Sequence, residues 1–282
     1  MTESTEDPEL QVRPTGSMVT YGYPRDHLQK DLAIAAWLNA SRVEILPDWT
    51  ARPDPGPAQK ICDDAGIVVH SVHACWGGVS PFAVRVDLGS TSSAIRFASL
   101  DAVKYCLDWA VKVGATHLVV HPGGLSDRSE QDARTSALLE SLEVLADAVG
   151  DAEIRICVEN MPPGVFPGHR MNDLRQIVDQ MDRPQIGLAL DTGHAHISST
   201  IQMETLAAGC RLFTTHVHDN NGRNDAHLPP GRGTLNWEAW PEALNEIGYQ
   251  GSIMLECIRF LREHPESLTD ELRKRIQLMT GP

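Results

Sequence analysis

No window of this chain approaches the ~20 consecutive apolar residues that a membrane-spanning helix needs, which argues against a helical span. The first segment, MTESTEDPELQVRPTG, lacks the basic and apolar regions of a signal peptide. It reads as a flexible tail over residues 1–16, with one folded domain over 17–282 and a cytoplasmic location. No Cys-x-x-Cys pair occurs among Cys62, Cys75, Cys106, Cys157, Cys210 and Cys257, so the expectation is buried free thiols. Cys75 falls in a site-forming segment. Positive charge is scarce: 24 Lys and Arg face 38 Asp and Glu, a net charge of -14. The average field repels a polyanion, which speaks against a nucleic-acid partner unless a local patch or bound cations reverse it. A glycine-rich phosphate loop is also missing, since Gly22 is followed by Tyr-Pro-Arg. That disfavours a doubly wound dinucleotide fold.

What the chain does have is a regular alternation. Eight short, almost continuously apolar runs read as strands buried on both faces: 18–21, 42–46, 67–74, 117–121, 155–160, 186–191, 213–218 and 252–257. Helical periodicity fills gaps at 25–38, 93–113, 129–149, 172–181, 237–247 and 266–279. In the second of these, Ile95, Phe97, Leu100, Val103, Leu107 and Val111 are expected along one stripe. No second composition regime appears. The pattern predicts an α/β fold, a single-domain (β/α)8 barrel.

The strand ends carry the chemistry. Strand three ends at His73, strand four at His121, strand five at Glu159 and strand six at Asp191, with His194 and His196 beyond. Strand seven ends at His216 and His218, followed by Asp225 and His227; strand eight ends at Glu256. Barrel strands converge at their C-terminal ends, so these side chains should meet around one axis. Charged groups at the end of an apolar strand are costly unless paired or metal-bound. A lone strand-end histidine is more often a hydrogen-bonded core or loop residue. That ordinary reading is taken for His70, His117, His169 and His264, and His196 stays open. His70 and His73 should face opposite sides of their strand. The repetition of Glu, Asp, His and Glu at four successive strand ends argues for a metal. Mixed carboxylate and imidazole ligands suit Zn²⁺ or Mn²⁺, with Co²⁺, Fe²⁺ or Mg²⁺ as further candidates.

These motifs resemble the xylose-isomerase-like TIM-barrel superfamily, over about residues 18–259. That superfamily holds sugar isomerases, epimerases and endonuclease IV-type AP endonucleases. The resemblance to the epimerase branch implies one divalent ion on Glu159, Asp191, His216 and Glu256, with the two glutamates catalytic and His194 touching substrate. The resemblance to the endonuclease branch implies His73, His121, His194, Asp225 and His227 as further ligands, hence up to three ions per chain. Its Gly-Glu-Gly is replaced here by Gly231-Arg232-Gly233.

Three readings follow. The favoured one is a metal-dependent isomerase or epimerase of a sugar or cyclitol-like hydroxy-ketone, in which Glu159 and Glu256 move the proton. The second is a multi-zinc phosphoester hydrolase acting on a small phosphorylated metabolite rather than DNA. The third is a non-catalytic binding barrel. Candidate substrate contacts are His194, His218, Arg232 and Trp76, with Trp49 and Phe166 as ring-stacking or core residues. Glu44, Asp48, Arg85 and Arg170 read as solvated loop charges. The pocket is expected from loops after strands one, two, three and five. A homodimer fits the resemblance, although no exposed apolar stripe demands one.

Overall fold

A computed structural model describes residues 12–23 and 27–281. Eight parallel strands form one sheet: β1 (Thr15–Tyr21), β2 (Arg42–Pro47), β3 (Val68–His73), β4 (His117–Val120), β5 (Arg155–Glu159), β6 (Ile186–Asp191), β7 (Leu212–His216) and β8 (Ile253–Leu255). Their spatial order is β7-β6-β5-β4-β3-β2-β1-β8. A parallel bridge from Val217 to Leu255 joins the two ends. The result is a single-domain (β/α)8 TIM barrel.

Each strand sorts its side chains by parity. Outward residues such as Val43, Ile45, Leu118, Val120, Ile156, Val158, Leu188 and Leu190 join the helices in the large apolar cluster. Val119, Cys157 and Ala189 form a separate small cluster with Phe213, which fills the barrel interior. Two register shifts interrupt the parity. One lies between Val43 and Glu44, where β3 carries the extra residue His70. The other lies between Leu188 and Ala189, where β7 carries the extra residue Phe213. Such bulges re-aim a side chain.

Several expected boundaries move. The expected tail over 1–16 is shortened from its folded end: Thr15 begins β1, and buried Arg13 donates to the carbonyls of Tyr249 and Met279. Residues 1–11 of that segment lie outside the described residues, as does the expected helix start at Arg25. The helix Ser93–Lys112 buries Leu100, Val103, Cys106, Leu107 and Ala110 but leaves Ile95, Phe97 and Val111 substantially exposed, so the expected stripe is too long at both ends. Helices Pro55–Asp64, Thr192–Ser198, Ile201–Ala208 and Ile258–Glu263 were not expected. No helix of the described residues is long and apolar enough to cross a membrane.

Candidate metal centre

Residues at or just beyond the ends of β3 to β8 meet at the C-terminal mouth. Glu159, Asp191, His216 and Glu256 each offer a ligand atom, all within 4.8 Å of one another. His73, His121 and Glu159 meet the same criterion, and so do His218, Asp225 and His227. Glu159 therefore belongs to two groups.

The contacts have the dimensions of ligand polyhedra. His73 Nε2 and His121 Nε2 stand 3.4 and 3.2 Å from Glu159 Oε2, yet that buried oxygen has no hydrogen-bond partner among the described residues. His216 Nδ1 stands 3.4 Å from Glu256 Oε2, which is likewise buried without a hydrogen bond. Two ligands at about 2.0–2.1 Å from one tetrahedral ion stand roughly 3.3 Å apart, so these edges fit a shared cation. Buried carboxylate oxygens without a partner are rare enough to call for an explanation, and a bound ion supplies one.

Outer hydrogen bonds aim the imidazoles. His73 Nδ1 contacts the Ala74 carbonyl at 2.8 Å, His194 Nδ1 the Asn160 carbonyl at 2.8 Å, and His227 Nδ1 the Glu256 carbonyl at 3.1 Å. A carbonyl only accepts, so each Nδ1 carries the proton and each Nε2 is left to the cluster. His216 is reversed: its Nδ1 faces Glu159 and Glu256, and its Nε2 lies 2.9 Å from Glu44 Oε1. Glu44 is fully buried and also accepts from Ser71 Oγ at 2.5 Å. It anchors His216 and is not the solvated loop charge expected. The available signal was one charged residue at inward parity inside the apolar run Val-Glu-Ile.

The electrostatics of the cluster are set by its carboxylates. Burial alone would depress the imidazoles, but neighbouring carboxylates prevail. Asp191 and Asp225 hold His194 at about 10, and Glu256 and Asp225 hold His227 at about 10. Glu44, Glu159 and Glu256 likewise hold His216 well above its usual value. Potential negative enough to retain those protons would favour a divalent ion in their place.

The other candidates are placed as follows. His194 Nε2 lies 3.2 Å from Asp225. His218 is fully buried, with Nε2 3.0 Å from both oxygens of Asp191, and its ring stacks on His227 at 4.2 Å. It joins Asp225 and His227 as a potential ligand, where the resemblance implied His194. Trp76 packs its ring against His73 at 5.0 Å. Arg232 is exposed and reaches Ser267 Oγ at 3.3 Å. Trp49 is core, donating to the His73 carbonyl. Phe166 packs on His169, Arg170 pairs with Glu204, Asp48 accepts from Thr50, Arg85 is exposed and His196 contacts Thr234.

Beside the cluster opens a cavity of about 800 Å³, lined by Thr20, Tyr23, Leu46, Asp225, His227, Glu256 and Phe260 among others. It draws on β1, β2 and the segments after β7 and β8. Among the described residues, the loops after β3 and β5 do not line it, contrary to expectation, nor do Trp76, His194, His218 or Arg232. Glu256 is the one member of the four-residue group that does.

Fold and donor set together define a (β/α)8 barrel with a carboxylate–imidazole site at its C-terminal mouth. The chain belongs to the xylose isomerase-like TIM barrel family, whose model matches residues 32–278. Two proteins of Methanocaldococcus jannaschii are 30% and 31% identical to it over 57% and 66% of this chain. The chain spans 63% of the length of each, just under two thirds. A probable endonuclease 4 of Thermoplasma acidophilum is 27% identical over 53% of this chain and 56% of its own. A probable ketose 3-epimerase of Synechocystis is 26% identical over 56% of this chain and 54% of its own. Among solved structures, a D-tagatose 3-epimerase-like protein superposes with a TM-score of 0.71 at 21% identity, covering 93% of this chain and 99% of the other. At that identity the likeness is one of fold.

Proposed function

We propose that this protein is a divalent-metal-dependent isomerase or epimerase acting on a small sugar or cyclitol-like hydroxy-ketone. The observation that carries this reading is the convergence of Glu159, Asp191, His216 and Glu256 beside a cavity that Glu256 lines. Relatives named as a ketose 3-epimerase and an inosose isomerase support it. A bound ion would polarise a carbonyl and its neighbouring hydroxyl, acidifying the C–H between them.

The chain's own groups divide the proton transfer. Burial raises both carboxylates, but the imidazoles of His216, His121 and His73 reverse this at Glu159 and hold it well below the usual range. Glu256 stays raised: burial outweighs His216 and His227, and Asp191 and Glu159 add to it. Those directions belong to the metal-free cluster; in this reading Glu159 and Glu256 remove and return the proton on opposite faces of one carbon because both stand in the same ligand group. Asp225 and His227 border the same cavity and are placed to hold substrate hydroxyls.

A second reading is favoured by one observation: two further ligand groups adjoin the first. A multi-zinc site of that kind would suit hydrolysis of a small phosphoester. Metal analysis of the purified protein, combined with two assays, separates the readings. About one ion per chain and solvent deuterium entering a ketose support the isomerase. About three zinc ions and phosphate release without exchange would replace it with the hydrolase.

A further inference from the structure

At the opposite, N-terminal end of the barrel lies a second cavity of about 540 Å³. Arg42, His70, His117 and Arg155 line it, contributed by the four successive strands β2, β3, β4 and β5. His117 and Arg155 are register partners, and the β3 bulge residue His70 lays its ring 4.2 Å from that of His117. Among the described residues no Asp or Glu lines this cavity, although the chain carries an excess of 14 acidic charges. Neither arginine has a carboxylate partner among the described residues: Arg42 donates to Ser252 Oγ at 3.3 Å, and Arg155 sits over the Phe213 ring at 4.8 Å. His70 is 5% exposed, and its buried Nε2 has no hydrogen-bond partner among the described residues. Glu44, the one carboxylate acting on both imidazoles, is already bonded to His216 and Ser71.

We propose that this N-terminal cavity is a second binding site, built for a phosphate-bearing small molecule. Two unpaired guanidinium groups offer the planar donor forks that phosphate oxygens accept from. Phe213, Leu212 and Ile247 supply an apolar wall for the remainder of the ligand. The interior plug of Val119, Cys157 and Ala189 stands between this site and the metal centre. Reaction sites of (β/α)8 barrels lie at the C-terminal face, so the ligand here is bound rather than transformed.

The test is calorimetric titration of the metal-loaded protein with inorganic phosphate, glucose 6-phosphate and glucose. Phosphate and the ester should bind, and glucose should not bind at this end. R155Q should weaken phosphate binding by about tenfold or more, the loss expected when a charge-assisted hydrogen bond is removed. R155K should retain more affinity than R155Q, and R42Q provides the same comparison should R155Q fold poorly. E159Q, which removes a residue of the other mouth, should leave this affinity unchanged, so failure of the isomerase reading does not touch it. Tighter binding of the ester than of phosphate identifies a phosphorylated metabolite as the ligand; equal binding identifies the free ion. The proposal is overturned if phosphate does not bind wild type, if R42Q and R155Q both bind it unchanged, or if E159Q rather than R155Q abolishes the signal.

Discussion

At the scale of single residues, Glu159 and Glu44 make different predictions. Glu159 contributes to two of the three ligand groups, whereas Glu256 contributes to one. E159Q should therefore lose more metal than E256Q, and both should lose activity. Elemental analysis of the two variants side by side checks this, and equal metal content would count against a shared Glu159. Glu44 lies outside all three groups but accepts from His216 Nε2 at 2.9 Å. Outer partners of this type change metal affinity by about 10–100-fold when removed. E44A should show that loss in a chelator competition with an intact fold by circular dichroism. Wild-type affinity in E44A would mean that Ser71 and packing alone orient His216.

At the scale of elements, the strands read as ladders of inward residues. β5 presents Arg155, Cys157 and Glu159; β6 presents Gly187, Ala189 and Asp191; the segment from β4 presents His117, Val119 and His121. Each runs from the N-terminal cavity or its edge, through a small apolar plug, to a residue of a candidate ligand group. The convergence of ionisable residues at the C-terminal mouth was legible in the sequence because they repeat at successive strand ends. The N-terminal half was not, because a bulge has no sequence mark, and it is the bulge residue His70 that lies against His117. Helix Pro55–Asp64 was obscured by its Pro-Gly-Pro start, although Asp54 caps it by accepting from Gly56 N–H. Helix Thr192–Ser198 was hidden inside the site motif itself, where Asp191 serves both as ligand candidate and as N-cap to His194 N–H. Its Gly193 explains why the motif needs a glycine: a Cβ there would lie 1.9 Å from His218 Cε1. G193A should cost about 1–3 kcal/mol through overpacking and should loosen the ligand group containing His218. Gly78, where an added Cβ meets nothing within 4 Å, is the control. A denaturant midpoint for G193A equal to that of G78A would show that His218 moves aside freely.

For the whole molecule, the two barrel ends have opposite electrostatic character, and acid should reveal the N-terminal one. Burial, with help from His117 and Arg42, depresses His70 to about 3. Burial, with help from Arg155, depresses His117 to about 4. Unfolded, both titrate near 6.5. Between the two values the unfolded chain binds protons that the folded chain refuses, so stability rises with pH there. The contribution is complete above about pH 6.5 and is lost as pH falls toward 4 and then 3, at up to roughly 1.4 kcal/mol per pH unit for each group. The carboxylates of the metal mouth titrate in the same range, so absolute acid stability does not isolate the effect, but a difference does. H70Q/H117Q should have a shallower decline of unfolding free energy than wild type between pH 6.5 and 4, whatever its stability at pH 7. Denaturant titrations at three or four pH values, with the metal content held constant, give the two slopes. Identical slopes would mean that the imidazoles are protonated in the folded barrel, and that Arg42 and Arg155 do not dominate its N-terminal end.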